Sequence, residues 1–176
     1  AVMTPYLAAP DQAALHANFT IAVTRYEYTN LFHTVTDLYN AYLVARYLGC
    51  KPEETDILLI DDFSGNFDSM WRTLFRSVTF LRELKGRRLF SKLAFNVVGY
   101  LSPLTPKRNR RLPLLGEFAE YVAQRYGHTP RRRDPKAPMR ITLIWRQDYA
   151  DLRQFSDRWV ARQIANKEEI LHRLRA

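Results

Sequence analysis

Cysteine, glycine and histidine are all scarce in this sequence, and each scarcity excludes a class of chemistry. The single cysteine, Cys50, can form no disulfide within the chain and cannot build a cysteine-based zinc site. The glycines form neither a phosphate-binding loop nor a Gly-x-Ser-x-Gly elbow, which excludes kinase-like, dinucleotide-binding and α/β-hydrolase chemistry. The histidines are scattered and no Asp-x-Asp triplet occurs, so no metal-binding motif is indicated.

A long apolar run is also missing. No segment approaches the ~20 apolar residues that a membrane-spanning helix needs, and the first residues lack the pattern of a signal peptide. Because the chain begins with Ala1 and not with Met, we expect a processed chain or a fragment, with any membrane anchor or targeting segment outside this sequence.

What the sequence does contain is abundant apolar residues and an excess of positive charge. Hydrophobic residues make up 47% of the 176 residues, enough for the core of one domain of ordinary size. The net charge of +9 is concentrated at 107–111, at 131–133 and near the C-terminus. The first two clusters are either solvated basic loops or surfaces that attract the phosphates of nucleic acid, lipid or nucleotide.

Strand and helix patterns alternate along the chain. A β-branched run at 19–24 predicts a strand, Asn30 then caps a helix that ends near Gly49, and the apolar run at 57–60 predicts a second, fully buried strand. Further helices are predicted around 70–75, at 115–126 and near 164–174, with strands near 93–98 and at 141–145. This alternation indicates an α/β fold, with a mostly parallel sheet covered by helices on both faces.

The segment 24–37 lies at a predicted strand-to-helix junction and contains several polar side chains that can bind a ligand. Open α/β folds usually bind ligands at such a junction. Asn30, His33 and Asp37 recur at three- and four-residue spacing, which places them in one polar stripe at the start of the helix. A histidine beside a carboxylate is a standard general base, because the carboxylate orients and stabilises the imidazolium. The alternative is that His33 and Asp37 form an ordinary intrahelical hydrogen bond and that Asn30 only caps the helix.

Two further sets of charged residues could act at strand ends. Arg146 follows a predicted strand and Arg162 comes later, and arginines so placed can clamp a diphosphate. Taken alone, each arginine is better explained as a surface cation. The pair Asp61 and Asp62 could hold a divalent ion, or it could simply cap the next loop.

The run VTRYEYTNLFHTVTD at 23–37 closely resembles the signature of the plant-type β-1,2-xylosyltransferases of glycosyltransferase family 61. Shorter matches keep the family's order, which argues against chance. They are Tyr39, Ala41, Tyr42 and Arg46, then Ile60-Asp61, 71–75, 101–104, Glu117-Phe118, 146–149, 162–164 and Glu168-Glu169.

The resemblance implies an inverting, nucleotide-sugar-dependent transferase of the two-domain GT-B type, in which this chain is the Rossmann-like N-terminal half. It implies UDP-xylose as donor, the core mannose of a glycoprotein N-glycan as acceptor, no nucleic-acid partner, and a type II membrane protein of the Golgi lumen. No cofactor is implied beyond the UDP-sugar substrate, and the need for a divalent metal is left open. Residues 1–176 would then be one acceptor-side domain, with 140–176 beginning the link into a donor-binding domain.

Carried over by position, His33 and Asp37 are the candidates that activate the acceptor hydroxyl, with Glu27 in reserve. Arg146 and Arg162 match the family's arginines near the donor phosphates. The residues expected to shape the acceptor side are Arg25, Tyr28 and Asn30.

Departures from the family pattern limit what this chain can do alone. Leu38 stands where these enzymes have tryptophan, and Trp145 stands where they have the first of two adjacent arginines. The glycine- and histidine-rich motif of the donor half is absent, so we expect the isolated chain to be inactive. The competing hypothesis is a non-catalytic binding module. Such a module would bind either polyanions through its basic loops or glycans.

Overall fold

The computed structural model describes residues 14–105, 112–129 and 166–175. The chain divides into two compact units, residues 1–131 and 132–176, and each is described by itself. In the second unit the described residues form one helix, α4 (Lys167–Arg175), where the sequence predicts a final helical segment. The predicted strand at 141–145 lies outside the described residues, as does most of the predicted link at 140–176, which stays a prediction.

Four parallel strands form the sheet of the first unit. They are β1 (Ala14–Val23), β2 (Asp56–Leu59), β3 (Ser77–Phe80) and β4 (Arg88–Phe95), and they lie side by side in the order β3-β2-β1-β4. Ile21 of β1 is paired with Ile57 of β2 on one side and with Ala94 of β4 on the other. The chain therefore builds outward from β1 to β3 and then returns to place β4 on the opposite side of β1.

The described part of this unit contains three α-helices: α1 (Leu31–Tyr47), α2 (Asp68–Leu74) and α3 (Leu115–Arg125). The predicted cap of α1 is confirmed, because the Asn30 side chain accepts a hydrogen bond from the Phe32 N–H at 2.9 Å. Gly49 and Gly127 follow α1 and α3 with φ of +71° and +74°, a left-handed conformation that ends helices and favours glycine.

One apolar core joins the sheet to these helices. Alternate strand residues face it, and α1, α2 and α3 supply most of its aromatic rings. Its principal members are Ile21, Val23, Ile57, Leu59, Val78 and Phe80 from the strands, with Leu38, Tyr39, Tyr42, Trp71, Leu74, Phe75 and Phe118. The α/β class and the parallel sheet are thus confirmed, whereas helical cover on both faces and the GT-B architecture stay predictions.

The structure sharpens the predicted elements in two places. Strand β4 ends at Phe95, so that Val97 and Val98 belong to the loop beyond it, and β3 was not predicted from the sequence at all. None of the helices in the described ranges is long and apolar enough to cross a membrane.

Candidate active site

The strand order reverses between β1 and β4, and the loops that leave these two strands meet at the carboxyl edge of the sheet. Open α/β sheets bind ligands at such a reversal. Two amides tie the loop after β4 to helix α1. Asn96 donates to the Asp37 carbonyl at 3.1 Å, and Asn40 donates to the Val97 carbonyl at 3.0 Å. These bonds hold the first turns of α1 against the loop after β4, at the carboxyl edge of the sheet.

Asp37 is fully buried in this part of α1. Its Oδ2 accepts a hydrogen bond from the Tyr26 N–H at 3.0 Å, while its Oδ1 has no hydrogen-bond partner in the described structure. Burial raises the pKa of Asp37 to about 7, against the opposing effects of the Tyr26 hydrogen bond and the Arg25 charge. Asp37 is therefore a carboxyl group that holds its proton close to neutral pH.

Gly99 closes over this carboxyl. A Cβ atom on Gly99 would lie 2.7 Å from Asp37 Oδ1 and 3.1 Å from Thr36 Oγ1, so only glycine fits at this distance. With the backbone of Gly99 above it, the Asp37 carboxyl has no open path to a sugar hydroxyl.

His33 points elsewhere, toward Glu27. Its Nε2 lies 3.8 Å from Glu27 Oε2, and the two side chains are 27% and 14% exposed. Among the described contacts no hydrogen bond or ion pair joins His33 to Asp37, so the intrahelical bond considered from the sequence is not formed. The structure therefore pairs the predicted base with the residue held in reserve.

Arg25 is buried, with its side chain only 1% exposed. Its Nε and Nη2 donate to the two oxygens of Asp61 at 3.0 and 2.6 Å, its Nη1 donates to Asp68 at 2.6 Å, and Nη2 also reaches the Phe63 carbonyl. Burial works to raise the pKa of Asp61, but the hydrogen bonds from Arg25 outweigh it and hold that pKa below its usual value. Arg25 thus ties the loops after β1 and β2 to the start of α2, and its predicted contact with the acceptor stays a prediction.

The acidic pair at 61–62 is occupied by protein contacts. Asp61 binds Arg25, and Asp62 adopts a φ of +64° with its Oδ1 accepting from the Arg82 N–H at 2.9 Å. Within the described ranges no group of three or more histidine, cysteine or acidic side chains could hold a metal ion. These contacts favour the loop-capping interpretation of the pair.

Tyr28 lies beside Phe63, with ring centroids 5.3 Å apart and planes inclined by only 15°. Gly65 lies close to the backbone of Tyr28, since a Cβ on Gly65 would collide with the Tyr28 carbonyl oxygen.

Apart from Asp37, the predicted site residues that the structure describes all lie in the loop after β1 or in the first turn of α1. They are Arg25, Glu27, Tyr28, Asn30 and His33. Arg146, Arg162 and the basic clusters at 107–111 and 131–133 lie outside the described residues.

Sequence reasoning missed Tyr26, Gly99 and Tyr100. Tyr26 lies inside the motif, but its contacts with His33 and Tyr100 depend on the fold and not on the spacing of the motif. Gly99 and Tyr100 follow β4, and only the strand order reveals that the end of β4 adjoins the end of β1.

Comparison with known proteins supports the resemblance. The chain is 30% identical over 110 residues to a β-1,2-xylosyltransferase of Oryza sativa subsp. japonica, and 29% identical over 106 residues to a β-1,2-xylosyltransferase of Arabidopsis thaliana. This chain is related to the β-1,2-xylosyltransferases. The matches cover 62% and 60% of the chain but only 20% of each relative's length.

No family model matches this xylosyltransferase-like chain, and no solved structure matches it. The two relatives are named as glycosyltransferases, and the names do not favour the polyanion-binding alternative. The relationship therefore supports a glycosyltransferase of the xylosyltransferase type in general terms.

Proposed function

We propose that this chain supplies the acceptor side of an inverting glycosyltransferase that transfers xylose from UDP-xylose to a glycan such as the N-glycan core mannose. The observation that carries the proposal is the His33–Glu27 pair, at the sheet edge where the strand order reverses. We further propose a GT-B arrangement in which sequence outside the described residues binds the donor, in a type II membrane protein of the Golgi lumen.

The separation of 3.8 Å between His33 Nε2 and Glu27 Oε2 is longer than a hydrogen bond. A hydroxyl has one proton to donate, so an acceptor hydroxyl at this pair would donate it to His33 Nε2, with the Glu27 carboxylate close to that nitrogen. In the proposed reaction, His33 takes the hydroxyl proton while Glu27 stabilises the resulting imidazolium. The oxygen then attacks the anomeric carbon, and the bond from that carbon to the diphosphate breaks on the opposite face, which inverts the configuration.

The departing diphosphate needs positive charge, for which Arg146 and Arg162 are the proposed donors. Asp37 and Arg25 are assigned positioning roles because both are buried. Asp37 fixes the backbone N–H of Tyr26 next to Glu27, and Arg25 fixes the start of the same loop through Asp61. Tyr28 and Asn30 keep their proposed place on the acceptor side.

Transfer measured with the full-length chain that carries this sequence tests the proposal. Incubation with UDP-xylose and an N-glycan acceptor should give a xylosylated product by mass spectrometry, and the His33→Ala variant should give far less. His128→Ala is the matched control, because His128 is exposed near the end of α3. Absence of transfer from every UDP-sugar offered, with glycan binding retained, would instead support a non-catalytic glycan-binding module.

A further inference from the structure

Four aromatic rings form a continuous row at the reversal between β1 and β4. The Phe32 and His33 centroids are 5.5 Å apart, His33 and Tyr26 are 4.6 Å apart, and Tyr26 and Tyr100 are 5.5 Å apart. The rings come from three places in the chain, namely the loop after β1, the first turn of α1 and the turn after β4. We call Phe32, His33, Tyr26 and Tyr100 the aromatic row.

About half of the surface of three of these rings faces solvent. Phe32, Tyr26 and Tyr100 are 53%, 49% and 56% exposed. A contiguous set of exposed rings costs hydrophobic free energy in the free protein and marks a surface that contacts another molecule. Tyrosine suits such contact because its ring is rigid and apolar while its hydroxyl bonds to polar groups.

Three of the four rings lie in the segment 24–33, and the charges of this segment favour a neutral ligand. Arg25 is its one lysine or arginine, and the Arg25 side chain is buried against Asp61 and Asp68. Glu27 places a carboxylate beside His33, which repels phosphates. A surface for nucleic acid instead combines aromatic rings with exposed lysine or arginine. A pyranose fits, since it offers C–H groups to a ring face and hydroxyls to tyrosine, histidine and glutamate.

The geometry also bears on the shape of the ligand. Successive planes in the row are inclined by 69° to 71°, so neighbouring ring faces point in different directions. The row is longer than a single pyranose ring. Both features suit a ligand with several sugar units at different orientations, as in a branched glycan.

We propose that the aromatic row binds the acceptor glycan beyond the reacting sugar, with Phe32 and Tyr100 as the outer contacts on either side of His33 and Tyr26. This assignment rests on the proposed function, because it takes the His33–Glu27 pair as the place where the acceptor hydroxyl reacts. The row then sets which glycan is held long enough for transfer.

Acceptor KM in the full-length chain tests the row, with the trimannosyl core oligosaccharide of N-glycans as the probe. Phe32→Ala and Tyr100→Ala should each raise KM by roughly three- to tenfold, the effect expected of an aromatic ring contact, and leave kcat within about twofold. Tyr100→Phe should retain most of the affinity because it keeps the ring. Tyr47→Ala is the matched control, because Tyr47 is 69% exposed at the other end of α1.

Binding measured by saturation-transfer NMR separates this inference from the proposed function. Loss of oligosaccharide signal in Phe32→Ala and Tyr100→Ala, but not in Tyr47→Ala, supports the row even if no sugar is transferred. Unchanged binding and KM in both row variants would overturn the inference while leaving transfer itself intact. Since the two side chains are half exposed, each variant should fold.

Discussion

The buried carboxyl of Asp37 gives the sharpest physical prediction. In the unfolded chain this group ionises near pH 3.8, whereas burial raises its folded pKa to about 7. Between these values the folded state binds more protons than the unfolded state, so the free energy of unfolding falls as the pH rises from about 4 to about 7. The full difference is about 4 kcal/mol, since each pKa unit corresponds to about 1.4 kcal/mol.

Asp37→Asn removes the ionisation but keeps an oxygen that can accept from the Tyr26 N–H. Relative to this variant, the wild type should lose roughly 2.5 kcal/mol of unfolding free energy between pH 5 and pH 8, most of it below pH 7. The loss is large against the 5–15 kcal/mol typical of a domain. Urea denaturation of the 176-residue chain, followed by far-UV circular dichroism at several pH values, measures it.

A second carboxyl variant controls for the general effect of removing charge. Glu120 is exposed on α3, and the unfolding free energy of Glu120→Gln should vary with pH as that of the wild type does. Asp61 and Asp56 have pKa values below their usual range, so their contributions vary mainly below pH 5 and cancel in the comparison. Parallel pH curves for the wild type and Asp37→Asn would refute the account of this site.

Two other substitutions test the contacts that hold the site. Gly99→Ala should destabilise the chain by about 1–3 kcal/mol in urea titrations, because the added Cβ would overlap the buried carboxyl of Asp37. The control Gly116→Ala has open space around the added Cβ and should be neutral or stabilising. Equal denaturation midpoints for the two variants would contradict the close approach of Gly99 to Asp37. Arg25→Met should cost about 3 kcal/mol because it leaves the partly buried carboxylates of Asp61 and Asp68 unpaired, whereas Arg46→Met breaks an exposed pair worth under about 1 kcal/mol. Similar losses in these two variants would show that the Arg25 cluster is not buried in solution.

Local patterns in the sequence predict much of this fold. The cap at Asn30, the end of α1 near Gly49 and the fully buried β2 follow from helix capping and from apolar periodicity. The strand β3 was missed because Ser77–Phe80 has only four residues, two of them apolar, which is too short a pattern to identify. The order of the strands could not be predicted, because it depends on pairing between residues far apart in the chain.

The same limit explains the candidate site. Helical spacing predicts that His33 and Asp37 lie on one side of a helix, and both residues do lie in α1. Which partner each side chain meets depends on the loops: the Tyr26 N–H and Gly99 enclose Asp37, while Glu27 lies beside His33. Spacing along one helix cannot show contacts made by segments on either side of it.

In the proposed reaction His33, which lies beside Glu27, takes the proton of the acceptor hydroxyl. The most direct measurement is the transfer rate of the full-length chain at saturating UDP-xylose and acceptor, for His33→Ala against the control His128→Ala. This role of His33 predicts a loss in kcat of about 10²–10⁴-fold for His33→Ala alone, the usual contribution of a general base. Wild-type kcat in His33→Ala would contradict it.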